Sequence, residues 1–161
     1  MTVVCDTSSI SNLLQIGLVS ILHTLYGRVL ITPAVQGELR AFSDHGEQID
    51  QFSWINVRAP ENREMLAQLL EILDLGESES IIVAIESNAN YLIIDEYKGR
   101  KIAELYGVKI SGILGVLIQA KKQGLISSVQ ENIKKLVEIG FRLDKSLVER
   151  VLKSLGEVQG D

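Results

Sequence analysis

Tyr91-Leu92-Ile93-Ile94-Asp95-Glu96 is the stretch on which the fold turns. A half-wetted strand alternates apolar and polar residues, whereas this run is apolar throughout, as a central parallel strand covered on both faces would be. Two acids then end it abruptly. Val3-Val4-Cys5-Asp6-Thr7-Ser8-Ser9 repeats the pattern, a short apolar run closed by an acid and hydroxyl residues. Further strand-like runs lie at Val29 to Ile31, Trp54 to Val57 and Val108 to Ile110.

Helical segments separate these runs. Thr32-Pro33 reads as an N-cap followed by proline at the first helical position, which predicts a helix from Pro33 to about Phe42. Glu61 to Leu73 carries Met65, Leu66, Leu69, Leu70 and Ile72 at helical spacing, and Leu75-Gly76 reads as its stop. The next helix is expected from about Glu77, with Ile81, Ile82, Ala84 and Ile85 on its apolar face. Strands alternating with helices imply right-handed crossovers, hence an α/β fold: a three-layer α/β/α sandwich around a mainly parallel sheet. From Gly112 onward three helices are expected, at roughly Gly112 to Gln123, Val129 to Ile139 and Leu143 to Leu155. They form a helical C-terminal extension (112–161) of one expected domain spanning 1–161.

Bulk properties narrow the function. The 161 residues are 46% apolar, enough for a sizeable core. No apolar stretch approaches the roughly 18–20 residues of a membrane span. The start has no basic region ahead of an apolar segment, so the expected address is cytoplasmic, without membrane association. Cys5, the only cysteine, lies in an apolar run and reads as a small buried hydrophobe. The net charge of −5 argues against a basic coat for nucleic acid, yet it is unevenly spread. Residues 1–97 hold 14 acids and 4 basic side chains, whereas residues 98–161 hold 7 and 12. An acidic pocket beside a basic rim fits that asymmetry.

Asp6 and Asp95 both follow strands directly, and the carboxyl ends of strands form the ligand crevice of open α/β sheets. Capping the following helix is the competing use of Asp6, worth about 1 kcal/mol. On spacing alone Glu38, inside the helix after the second strand, reads as a solvated residue. Glu77 and Glu79 lie two apart near a helix start, where residues diverge by about 200°, so one of the pair at most joins a cluster. Ile82 and Ile85 place the flank of Glu79 nearer the buried face, and Glu79 is the expected member. Carboxylates gathered in one crevice repel unless cations neutralise them, and an oxygen-only donor set selects Mg²⁺ or Mn²⁺. His23 and His45 lack the paired spacing of a zinc site. No phosphate-binding glycine loop or nucleophile elbow occurs, and Thr7, Ser8 and Ser9 have no histidine nearby in sequence.

Asp6-Thr7-Ser8, Ile31-Thr32-Pro33 leading to Glu38, Leu75-Gly76-Glu77-Ser78-Glu79-Ser80-Ile81-Ile82 and Leu92-Ile93-Ile94-Asp95-Glu96 together resemble the PIN-domain ribonucleases. Gly76-Glu77-x-Glu79, Lys98-Gly99-Arg100, Ser111-Gly112-Ile113-Leu114-Gly115-Val116-Leu117 and Gly140-Phe141-Arg142-Leu143 resemble, more narrowly, a PIN-like family described as nucleic-acid-binding. The resemblance implies a metal-dependent endoribonuclease, of a family many of whose members are toxins, with Asp6, Glu38, Glu79 and Asp95 as its acids. Asp6, Asp95, Glu79 and Glu96 are the implied metal ligands, with Asp95 or Glu96 supplying the strand-end oxygen. Ser8, Lys98, Arg100 and Lys101 would hold the substrate. Implied partners are RNA, an antitoxin protein and further copies of the chain in a homodimer or higher homo-oligomer. Two other readings share this fold: a non-catalytic PIN-like module binding nucleic acid or protein, and a receiver-type phosphoacceptor. Trp54, Tyr91, Tyr97 and Tyr106 read as core or edge residues, which does not support base-specific readout.

Overall fold

The computed structural model describes residues 1–42 and 45–157. Its five strands are β1 (Thr2–Cys5), β2 (Arg28–Ile31), β3 (Ile55–Val57), β4 (Tyr91–Ile93) and β5 (Ile110–Ser111). They form one sheet in the order β3-β2-β1-β4-β5, parallel at every pairing. The helices are α1 (Thr7–Gln15), α2 (Ile21–Tyr26), α3 (Pro33–Arg40), α4 (His45–Asp50), α5 (Arg63–Leu69), α6 (Leu75–Glu86), α7 (Tyr97–Leu105), α8 (Ile113–Lys122), α9 (Val129–Glu138) and α10 (Lys145–Ser154).

Side chains of a strand point alternately to the two faces, and here both faces are buried. Val3, Cys5, Val29, Ile31 and Ile93 join Ile10, Leu13, Leu22, Val35, Leu39 and Val116 in one core. Val4, Leu30, Leu92 and Ile94 join Leu69, Ile81, Ile82 and Ala103 in the other. This is the expected three-layer α/β sandwich. Truncating a fully buried member such as Leu30 to alanine would cost about 2–5 kcal/mol. α8, α9 and α10 close a third apolar cluster around Leu117, Ile133, Leu136 and Leu152. Among the described residues no helix is long and apolar enough to cross a membrane.

The strand order positions the site. From β1 the chain winds outward through β2 and β3, then returns to the other side of β1 for β4 and β5. The carboxyl ends of β1 and β4 therefore flank the switch point, where crossovers leave in opposite directions and a crevice opens. Asp6 and Asp95 lie at this crevice.

Several boundaries differ from expectation, such as α5, which spans Arg63–Leu69 and not Glu61 to Leu73, and two of them have a plain cause. Leu75-Gly76 starts α6 instead of stopping α5, because the Asp74 carboxylate accepts the Glu77 N–H at 2.8 Å and caps the new helix. The last strand is Ile110–Ser111 and does not include Val108. Val108 is spent on the turn that closes α7, its N–H bonding the Ala103 carbonyl after Gly107 at φ 76°.

Candidate carboxylate site at the carboxyl edge of the sheet

Asp6 is held at the head of α1 by its backbone, whose N–H bonds the Ile93 carbonyl at 3.0 Å. Ser9 adds a second tie, its hydroxyl donating to the same carbonyl at 3.2 Å. Asp6 occupies the N-cap position, but its carboxylate makes no cap bond to the helix. That leaves it for the crevice, where it is 7% exposed. Glu38 approaches from α3, a helix fixed by the Thr32 hydroxyl accepting the Val35 N–H at 3.2 Å. The Thr7 hydroxyl donates to Glu38 Oε2 at 2.6 Å and joins α1 to α3 across the crevice.

The third wall is the first turn of α6. Asp74 and Glu77 line a cleft of about 570 Å³ together with Asp6, Glu38, Glu96, Thr7, Ser8 and Asn12. No lysine or arginine lines that cleft among the described residues. Glu77 Oε2 is buried and has no hydrogen-bond partner among the described residues. Burial with no nearby cation penalises the charged forms. Desolvation, then the Asp74, Glu38 and Asp95 charges, push Asp6 from 3.8 to about 6, while the Thr7 N–H pulls the other way. Glu77 is raised more strongly, by desolvation and then by the adjoining Asp74 carboxyl.

Glu79, the expected member of the cluster, is elsewhere. Its Oε1 accepts the Ala34 N–H at 2.8 Å, so it caps the first turn of α3 from α6. Glu77 takes the place assigned to Glu79. The choice on buried flank failed because Gly76 through Ala84 are all buried, so apolar neighbours carry no information about direction. The legible signal was Asp74-Leu75-Gly76-Glu77, an N-cap acid with glutamate three residues on, which marks a helix start and puts Glu77 in its first turn. Asp74 had no place in the expected set.

Asp95 borders the crevice without lining the acidic cleft. Both its oxygens accept the Ile113 N–H, at 3.1 and 3.2 Å, at the head of α8. Burial raises its proton affinity, offset by the Ile113 N–H and the Arg100 charge. Glu96 is exposed and lines both the cleft and a second cavity of about 860 Å³, which also contains Asp95, Tyr97, Arg100 and Arg142. Ser8 lies on the same boundary. Arg100 is turned inward, Nη1 donating to the Ile94 carbonyl at 2.8 Å. Lys98 and Lys101 line neither cavity; the Lys101 ammonium stands 5.5 Å from the centre of the Tyr97 ring. Tyr97, expected in the core or at an edge, is 71% exposed.

A family model described as a PIN domain matches residues 2–157. The chain belongs to the PIN-domain family. Membership accounts for the parallel sheet and for acids gathered at the carboxyl ends of β1 and β4. PIN domains are generally nucleases and typically use divalent metals, so the family makes this a nuclease-like domain of hydrolase type. No curated protein matches the sequence.

The donors of this PIN domain fit a hard divalent cation. They are carboxylate oxygens without histidine or thiolate, and one of them, Glu77 Oε2, is buried without a partner. Among the described residues no three acids already converge as a metal site. The Glu38 carboxylate accepts from the Thr7 hydroxyl and the Asp95 carboxylate from the Ile113 N–H.

Proposed function

We propose that this PIN domain is a Mg²⁺- or Mn²⁺-dependent endoribonuclease that hydrolyses RNA phosphodiester bonds at the carboxylate cleft. The observation that supports it best is Glu77 Oε2, buried without a partner among the described residues, beside Asp6, Asp74 and Glu96 in a cleft that none of the described lysines or arginines lines. Such a set is costly unless a positive ion neutralises it. Asp6 and Glu77 would hold the ion, with Glu38, Glu96 and Asp95 turning in from the rim. A bound divalent ion would supply Lewis acidity and a lowered pKa for water.

The residues of the chain supply the rest. Asp6 is rigid, because both its backbone N–H and the Ser9 hydroxyl are tied to Ile93, and rigidity at the donor favours a defined geometry. The Thr7 hydroxyl steers Glu38. Arg100 sets the Asp95 turn by holding the Ile94 carbonyl through Nη1, and it also lines the second cavity, where a phosphate would pass. Ser8 and Glu96, shared by the two cavities, mark the passage along which a polynucleotide would leave the cleft toward Arg142.

Purified protein with Mn²⁺ should cut single-stranded RNA, and Asp6→Asn or Glu77→Gln should reduce the rate by at least 100-fold. Equal cleavage by wild type and both variants would refute the reading. RNA binding with no Mn²⁺ affinity would instead identify a non-catalytic PIN module.

A further inference from the structure

Three acids at the crevice lean on glycines. A Cβ on Gly76 would stand 2.6 Å from Glu38 Oε1, one on Gly99 2.6 Å from Glu77 Oε2, and one on Gly112 2.5 Å from Asp95 Oδ1. At each of these distances something must shift, and the carboxylate, at the far end of a flexible side chain, is the group that can give way. The three glycines are not required by backbone conformation. None has positive φ, and Gly112 sits at φ −111° in extended backbone that any residue adopts. Gly76 and Gly99 lie inside α6 and α7, where alanine is the better helix former. Gly76 and Gly99 therefore oppose local propensity, and at all three positions a carboxylate stands in the space that the missing side chain leaves. Gly46 and Gly115 are also crowded, but by Arg40 and the Ser111 hydroxyl.

The three contacts share one construction. Glu38 from α3 rests on the first turn of α6; Glu77 in that turn rests on the first turn of α7; Asp95, just before α7, rests on the N-cap of α8. Each acid thus lies against the start of a following helix, where the exposed N–H ends favour negative charge.

We propose that Gly76, Gly99 and Gly112 are positioning residues of the site, each providing the bare Cα on which Glu38, Glu77 or Asp95 is seated. A methyl group at any of them pushes that acid off its seat while leaving the fold intact. The proposal rests on the metal-dependent reading for its consequence, but its geometry can be tested without metal. Gly99 is the most constrained of the three, because a Cβ there also meets Ile94 Cδ1 at 2.7 Å.

The test is a double-mutant cycle of Gly99→Ala against Glu77→Ala. Without metal, alanine at 99 should lower the melting temperature of wild type by more than that of the Glu77→Ala protein, where the carboxylate contact is gone and only the Ile94 contact remains. In Mn²⁺ titrations by calorimetry, Gly99→Ala should weaken binding at least 10-fold in wild type and change nothing further in Glu77→Ala. A second cycle, Gly76→Ala against Glu38→Ala, covers the case in which Gly99→Ala does not fold, because Glu38 is exposed and its side chain can give way. Additive melting shifts in both cycles, or Mn²⁺ affinity unchanged by either glycine substitution, would overturn the proposal. If wild type binds no Mn²⁺, the metal reading falls and the metal-free cycles still decide the role of the glycines.

Discussion

Replacing Asp6 by asparagine should make the metal-free protein more stable, although it removes the residue best placed to hold an ion. Burial among acids raises the Asp6 pKa from 3.8 to about 6. The folded state therefore binds this proton more tightly than the unfolded state does. For a raised carboxylate pKa the sign is unfavourable with rising pH: stability is undiminished below the unfolded value and falls as pH climbs through about 6. About two pKa units at 1.36 kcal/mol each give a penalty of about 3 kcal/mol above that pH. Asparagine is nearly isosteric, keeps an oxygen for the Thr7 N–H and carries no charge. In EDTA at pH 7.5, Asp6→Asn should melt roughly 5–10 °C above wild type, taking 2–4 °C per kcal/mol for a chain of this size. At pH 3.5 the two proteins should converge, because wild-type Asp6 is then neutral as well. Added Mn²⁺ should close the gap at about 100 times its Kd, where binding adds about 2.7 kcal/mol, and reverse the ranking at about 1,000 times its Kd, where it adds about 4.1 kcal/mol to the protein that binds it. Thermal melts at the two pH values, with and without Mn²⁺, measure all of this. A variant less stable than wild type at pH 7.5, or a gap that persists unchanged at pH 3.5, would refute the electrostatic argument.

Other substitutions separate the roles of neighbouring acids. Glu79→Gln keeps an oxygen for the Ala34 N–H, but Glu79→Ala leaves that donor bare and should cost about 1–2 kcal/mol in urea unfolding, with Mn²⁺ affinity within about threefold of wild type. Glu77→Gln should show the opposite profile in the same two assays, with stability retained or raised at pH 7.5 and Mn²⁺ binding lost. Asp95→Ala should cost about 1–2 kcal/mol through the freed Ile113 N–H, whereas Asp95→Asn should keep that bond and the melting temperature. Glu157→Ala should loosen the tail, because its carboxylate accepts the Val129 and Gln130 N–H groups and the Ser128 hydroxyl at the head of α9. These contacts lower its pKa, so their stabilisation is present above the ordinary carboxylate range and lost in acid; hydrogen exchange in α9 at pH 7 and pH 3 reads it out.

The strands were legible because three of them, β1, β2 and β4, are buried on both faces, which leaves apolar runs that end sharply. Asp6 and Asp95 were legible for the same reason, since the first polar residue after such a run must emerge at the sheet edge. Glu77 was misread because α6 is buried nearly all round and its apolar residues set no phase. A one-sided helix such as α9, with Val129, Ile133 and Leu136 inward, presents no such difficulty. Lys98 and Lys101 follow the strand end closely in sequence, yet the first turn of α7 carries them past the cleft. Contacts between distant segments left no local trace, as with Glu157, which reaches back 28 residues to Val129.

Glu77 and Glu79 point to different neighbours from one helix, the first into the cleft and the second to the head of α3. That arrangement makes α6 a gauge of fixed length. Inserting or deleting one residue between Glu77 and Glu79 would turn one carboxylate by about 100° relative to the other, so no adjustment could keep both on target. Substitution can exchange acid for acid at either position, but the count of residues between them cannot drift. As sequences diverge, length in this segment should outlast identity, and a gap there would mark a chain whose cleft has been rebuilt.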